Sequence, residues 1–284
     1  MTNKTLSCCI QNGSKELGNN KYWVLFSGGK DSTAVAYYLQ EQDKLEGILT
    51  LDTGINIPDY LDWVKMIAKK RKWKLHISRG GFNTGNEKVK SYEEFVKTYG
   101  FPKPGSHSWI MRVLKGRGLS KFKRLHKGQG NLNPKQPPFI ASGARQKESK
   151  RRMGLGNLKT KVEEYGEFEH LKCWNPIYDW DSKTVWKFLK QYDLEVSPSY
   201  KTLHLSGDCL CGAFSKVEET SIIEMFYPEL ANRLKNLEDE IKGDPKIPQN
   251  CKYWGYQKGQ GFSVKYDKLD SFLCNECDIN SESE

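Results

Sequence analysis

The sequence predicts an α/β protein built on a doubly wound parallel sheet, followed by a mostly helical region that carries cysteines. Three observations carry this expectation. An apolar run, Tyr22 to Phe26, passes through a glycine turn straight into a helical pattern, Thr33 to Gln40. A second apolar run, Glu46 to Leu51, is followed by a helical pattern and then by the alternating segment Trp73 to Ser78. Beyond Gly207 this rhythm gives way to a cysteine pair, helices and a cysteine-bearing tail. Strands that alternate with helices in this way form parallel sheets, and ligands gather at the carboxyl ends of the strands.

The elements follow in order. Residues 1–20 form a polar leader, 21–206 the α/β domain, and 207–284 the helical, cysteine-rich region. The turn Ser27-Gly28-Gly29-Lys30-Asp31-Ser32 joins the first strand to the first helix. The second strand ends at Asp52-Thr53-Gly54, and Pro58 to Arg71 is helical, with Ile57, Leu61, Val64 and Ala68 at helical spacing and Pro58 tolerated in the first turn. Ser91 to Tyr99 and Trp109 to His126 read as helices, the second strongly basic, and Gly128 to Pro138 as a loop. Phe139 to Ser142 is a short strand that delivers Gly143-Ala144-Arg145, and the basic stretch Arg145 to Lys161 suits a flap over an anionic ligand. Trp174 to Trp180 is aromatic packing ahead of a helix capped by Asp181, with Val185, Phe188 and Leu189 facing the core. Helices from about Lys216 to Lys242 and a Pro-rich break at Gly243 to Gln249 precede the tail, and no internal repeat is present.

Of 284 residues, 45 are Lys or Arg and 35 Asp or Glu, a net charge of +10 that fits an anionic partner such as a nucleotide or nucleic acid. The start lacks a secretory apolar core and no segment approaches about 18 apolar residues, so an intracellular, cytoplasmic protein without membrane insertion is expected. Eight cysteines in such a chain point to metal or redox chemistry instead of a disulfide framework.

The glycine turn carries the most chemistry. Two glycines let the backbone bend sharply and approach a ligand, while the amides opening the next helix face outward with the positive end of its dipole behind them. Lys30 adds a point charge for a departing phosphate, Ser27 and Ser32 add hydroxyl donors, and Asp31 an oxygen for magnesium. The Walker loop is excluded, because the four residues that separate its Gly from Gly-Lys are absent. Asp52-Thr53-Gly54 is not an aspartic protease signature, since that chemistry needs two such carboxylates and the chain has one triplet.

Ser27 to Ser32 resembles the PP-loop of the N-type ATP pyrophosphatases, the adenine nucleotide alpha hydrolase superfamily. Gly143-Ala144-Arg145 with Glu148-Ser149 and Arg151 resembles the Gly-x-Arg-x-x-Glu-Ser-x-x-Arg segment of its PAPS reductase-like members. The resemblance runs from about Tyr22 to Phe214. It implies that the backbone of Leu51 and Asp52 line the adenosine pocket and that Gly143 and Arg145 meet the anionic nucleotide. Lys30, which reductases of preformed PAPS or APS commonly lack, argues for ATP cleavage. The activity implied is binding of ATP and Mg2+, adenylation of an acceptor with release of pyrophosphate, and sulfur transfer, with Lys30, Asp31 and Arg145 as the catalytic set. The acceptor is anionic, with tRNA or DNA as candidates, and a sulfur donor or thioredoxin-like reductant completes the partners.

Cys209-Leu210-Cys211 and Cys274-Asn275-Glu276-Cys277 supply four thiolates, enough for a 4Fe-4S cluster or a tetrahedral zinc, with Cys251 in reserve. Relatives with such pairs use them for a 4Fe-4S cluster, although Cys-x-Cys departs from the commoner Cys-x-x-Cys and Ile110 stands where some relatives place a cysteine. Two rival functions remain: a true PAPS or APS reductase that forms sulfite through Cys277 or Cys274, and a non-catalytic, zinc-braced protein that binds nucleotide or nucleic acid.

Overall fold

A computed structural model describes residues 20–80, 89, 91–127, 138–146, 160–163, 171–216 and 219–255. Six strands form one sheet in the order β3-β2-β1-β4-β6-β5. They are β1 (Tyr22–Leu25), β2 (Leu45–Asp52), β3 (Leu75–Arg79), β4 (Phe139–Ala141), β5 (Thr160–Glu163) and β6 (Leu171–Trp174). β1 pairs in parallel with β2 and β4, β2 with β3, and β4 with β6, whereas β5 adds an antiparallel edge to β6. Sequence periodicity missed β5 and β6. Thr160 and Lys161 are strand residues at the end of the stretch expected to form a flap, and Arg145, at its start, is buried.

Helices cover both faces. The main ones are α1 (Lys30–Glu41), α2 (Tyr60–Arg71), α3 (Tyr92–Tyr99), α4 (His107–Met111), α5 (Arg117–Leu125), α6 (Ser182–Gln191), α7 (Glu219–Phe226) and α8 (Pro228–Ile241). A π-turn, Arg112–Gly116, joins α4 to α5, so the basic helix expected over Trp109 to His126 is one continuous helical run with an irregular centre. On one face of the sheet Val24 and Ile48 join Ala34, Val35 and Leu39 of α1, Val64 and Ala68 of α2, and Val185, Phe188 and Leu189 of α6 in the main core. On the other, Trp23, Leu49 and Ile140 meet Leu119 and Phe122 of α5. The alternation along β1 thus sends neighbouring residues into separate cores, as period-two strands require. Each Val, Leu, Ile or Phe side chain among them, fully buried, contributes about 1.5–3 kcal/mol.

The capping chemistry follows the sequence. Ser91 accepts from the Glu94 amide at 3.2 Å to start α3, and Asp181 from the Thr184 amide at 2.7 Å to start α6. The helices expected from about Lys216 to Lys242 are α7 and α8. Pro228 opens α8 at its first turn, a position that needs no amide, and so ends α7 before it.

β2 and β3 lie to one side of β1 and β4 to the other, so the direction of winding reverses between β1 and β4. A crevice opens at such a reversal, outside the carboxyl ends of the strands. The residues that follow β1 and β4 are Ser27 to Ser32 and Gly143 to Arg145. No helix among the described residues is long and apolar enough to cross a membrane.

Candidate functional site

Gly28 has φ +74°, and a Cβ there would lie 2.4 Å from Trp63 Cζ3, so only glycine fits. Gly29 caps α1 with extended backbone, and the amides behind it lack the partners an inner turn would give them. The two serines shape this turn: Ser32 Oγ donates to Gly29 O at 3.1 Å, the Ser27 amide donates to Ser32 Oγ at 3.3 Å, and the hydroxyls lie 3.2 Å apart. Gly143 brings the end of β4 against the same turn, since a Cβ on it would stand 2.8 Å from the Asp31 carbonyl carbon and 2.9 Å from the Ser32 nitrogen.

Three charges meet there. Lys30 is 4 % exposed and Arg145 2 %. Arg145 Nε donates to Asp31 Oδ1 at 2.7 Å, its Nη1 donates to Trp180 O at 3.4 Å, and Lys30 Nζ stands 3.7 Å from Asp31 Oδ2. Arg145, 114 positions from Asp31, therefore joins Lys30 and Asp31 in one cluster at the reversal of the sheet. Leu51 packs beside the second core, while Asp52 Oδ1 accepts from the Gly54 amide at 2.9 Å and its Oδ2 lies 3.7 Å from Arg79 Nε.

Residues 197 to 208 strap this site from above. The Ser197 amide donates to Gly28 O at 2.8 Å, and a Cβ on Gly29 would lie 3.3 Å from Tyr200 Oη and 3.4 Å from Ser206 Cβ. Asp208 ends the strap. Its carboxylate accepts from Lys115 Nζ at 2.6 Å and Ser206 Oγ at 2.7 Å, and its carbonyl accepts from Thr53 Oγ1 at 3.0 Å and Asn56 Nδ2 at 2.7 Å. Burial opposes both charges of the Lys115–Asp208 pair, yet each partner's field outweighs it, so the lysine is held above and the aspartate below its ordinary range.

Cys209 and Cys211 follow directly. The hydrogen bond with Cys211 pulls the Cys209 thiol down to about 7, with Lys115 assisting against burial, while the same bond and burial push Cys211 up. Tyr60 lies in the field of Asp208, Cys209 and Asp52, and its buried hydroxyl has no hydrogen-bond partner among the described residues. An orphan donor in the field of the Cys209 thiol is what a bound group would satisfy, and a low thiol pKa suits a metal ligand. Cys209 and Cys211 thus fit half of a four-thiolate set. Cys274 and Cys277 lie outside the described residues, as do Glu148, Ser149 and Arg151. Among the described residues no three His, Cys, Asp or Glu are grouped to hold a metal. Cys251 is a free thiol whose neighbour is Asn250, and burial raises its pKa.

Sequence reasoning nominated the glycine turn and Arg145 but gave no role to Lys115, Asp208, Tyr60 or Ser206. Lys115 was hidden in a basic run. Asp208 had one available signal, its position between a serine–glycine turn and the cysteine pair.

An uncharacterized protein of Methanocaldococcus jannaschii is 28% identical over 223 residues, which make up 77% of this chain and 48% of that protein. The chain thus spans about half the length of the curated relative it matches. Among solved structures, a phosphoadenylyl-sulfate reductase from Candida auris in complex with phosphate aligns with TM-score 0.45 and 17% identity over 69% of this chain and 83% of that one. A U34-tRNA thiolase from Methanococcus maripaludis with its 4Fe-4S cluster gives TM-score 0.43 and 15% identity over 89% and 84%. An FMN adenylyltransferase from Candida glabrata gives 0.38 and 12% over 66% and 57%. These structural likenesses are loose, and kinship rests on sequence. The signature of one family covers residues 21–209, from the strand before the glycine turn to the first cysteine of the pair, and by that match the chain belongs to the phosphoadenosine phosphosulfate reductase domain family.

Proposed function

We propose that Ser27 to Ser32 is a PP-loop that binds ATP with magnesium, and that the chain adenylates an oxygen of a second substrate, releases pyrophosphate and supports sulfur transfer to the activated position. The observation that carries this reading is the buried Lys30 ammonium on the opening turn of α1, directly behind a glycine turn whose Gly28 holds a positive φ just past the end of β1. A lysine there serves a phosphate that departs, which ATP supplies.

The acceptor oxygen attacks the α-phosphorus, the bond from that phosphorus to the bridging oxygen breaks, and pyrophosphate leaves with the electron pair. Loop amides and Lys30 stabilise the charge that develops on it, and the strap over the turn keeps the polyphosphate in line. Asp31 would hold the magnesium, which neutralises phosphate charge when bound. Arg145 would hold that carboxylate in position through its 2.7 Å contact, in addition to the anion-holding role implied by the resemblance. Asp52 and the Leu51 backbone would border the adenosine. A sulfur donor then displaces AMP from the acceptor, forming the bond to sulfur as the bond to the adenylated oxygen breaks. Cys209 and Cys211, with Cys274 and Cys277, would hold a 4Fe-4S cluster or zinc.

The family match favours a second reading, reduction of PAPS or APS to sulfite. One experiment separates the two. The anaerobically purified chain is given ATP, magnesium and candidate acceptors and assayed for AMP and pyrophosphate. The wild type should produce both and Lys30→Ala neither. Undiminished turnover by Lys30→Ala would refute the assigned role, and sulfite release from PAPS with thioredoxin but no ATP consumption would favour the second reading.

A further inference from the structure

We propose that the face formed by the end of α3 and the helical run from α4 to α5 binds a single-stranded RNA segment and presents it to the site. This names the macromolecular partner of the reading above and rests on that reading only for the chemistry that follows binding. Tyr99 and Trp109 are large aromatics left 41 % and 40 % exposed. Their ring centroids lie 4.3 Å apart at 58°, and buried Phe95 supports Trp109 edge-on at 5.0 Å. A rigid, half-exposed aromatic pair is a stacking platform for an unpaired base.

The charge along the helical run is one-signed. Between Glu94 and Glu148 the sequence has no Asp or Glu. Arg112, Lys121, Arg124 and Lys127 are exposed, and among the described residues Arg112, Arg124 and Lys127 have no ion-pair partner. The π-turn contributes the alignment. It carries one extra residue, which rotates everything after it by about 100° and keeps Lys121 and Arg124 on the side of Trp109 and Arg112. From Trp109 to Arg124 this track is on the order of 20 Å long, enough for about six stacked nucleotides. The same run delivers Lys115 to Asp208 at 2.6 Å, at the end of the strap over the glycine turn, so one helical run carries both the track and a contact to the site. Unstacked bases are what RNA loops offer to aromatic side chains, whereas a duplex hides them.

The test is fluorescence anisotropy of the full chain with a labelled 12-nucleotide single-stranded RNA, an RNA duplex and a single-stranded DNA of the same sequence. The single-stranded RNA should bind most tightly and quench tryptophan emission. Trp109→Ala should weaken it about tenfold while Trp109→Phe retains most binding. Arg112→Glu with Arg124→Glu, both at exposed positions, should weaken binding further and lower the salt slope by about two. Lys30→Ala should bind RNA as the wild type does, so loss of ATP turnover and loss of this inference are separable. Absent RNA binding, equal affinity for duplex or DNA, or indifference to the Trp109 and arginine variants would overturn it.

Discussion

Arg145 Nε donates to Asp31 Oδ1 at 2.7 Å, which joins the end of β4 to the first turn of α1 through a guanidinium with almost no exposure to water. The two residues follow β1 and β4, the strands that flank the winding reversal, so this contact bridges the crevice between them. Arg145→Gln should destabilise the chain by about 2 kcal/mol in urea unfolding. Arg145→Gln combined with Asp31→Asn should recover part of that loss, because the second change removes the carboxylate left behind. Additive losses would show that the two side chains do not interact.

Gly28 needs both its positive φ and the space occupied by Trp63. Gly28→Ala should cost about 2–3 kcal/mol and weaken nucleotide binding. Trimming the indole with Trp63→Ala should relieve only the steric part, leaving the backbone strain. Unfolding midpoints of the two single variants and the double variant measure this, and a Gly28→Ala protein as stable as wild type would contradict the geometry.

Tyr60 hides a hydroxyl with no partner among the described residues. Tyr60→Phe should leave the metal-free chain as stable or stabilise it by about 1 kcal/mol, since an unsatisfied buried donor is removed. The same change should lower the affinity of whatever group the thiols hold, read by metal titration. A clear loss of stability in the metal-free protein would mean that the hydroxyl already has a partner.

Cys209 and Cys211 should be needed for metal. Iron, sulfide and zinc analysis after anaerobic purification is expected to give a loaded wild type and a depleted Cys209→Ser, Cys211→Ser double variant. Unchanged metal content in the double variant would move the ligands elsewhere.

Arg233 pairs with Glu93 and donates to Gly54 O at 2.7 Å, tying α8 to α3 and to the loop after β2. Burial works to raise the Glu93 carboxyl, but the hydrogen bond and charge of Arg233 outweigh it and leave the group lowered. A depressed carboxyl stabilises the folded state above its unfolded pKa of about 4.3, and that contribution disappears as pH falls through the folded value. The stability gap between wild type and Glu93→Gln should therefore be steady, about 1 kcal/mol, from pH 6 to about 8 and close below about pH 4. A gap independent of pH would contradict the pairing.

Much of the frame was legible in the sequence because local rules governed it. Tyr22 to Phe26, the two glycines and the α1 pattern are a contiguous strand, turn and helix, and Asp181 announced its helix by cap chemistry. β6 was not legible, because four residues around Cys173 are too few for periodicity to register, and the pairing that defines the strand comes from β4 in a distant part of the chain. More than one helix was expected between Lys216 and Lys242, and Tyr227-Pro228 sets the boundary between α7 and α8, because proline cannot continue one helix yet opens the next. Within the site, the cluster of Lys30 and Asp31 with Arg145 depends on a parallel crossover. Motif order could suggest it, while the Arg145–Asp31 contact itself had no local signature. The Lys115–Asp208 pair spans 93 positions and arises only from folding.

Asp208 sits one residue before Cys209, holds Lys115 and Ser206 with its carboxylate, and grips Thr53 and Asn56 with its carbonyl. Any occupant that draws on Cys209 must tug on this same residue, and through it on the rim beyond β2 and on the serine resting over Gly29. On the proposed reading, filling the thiol corner and closing around a polyphosphate would therefore be mechanically entangled events, and removing a bound metal would change how the chain grasps its nucleotide.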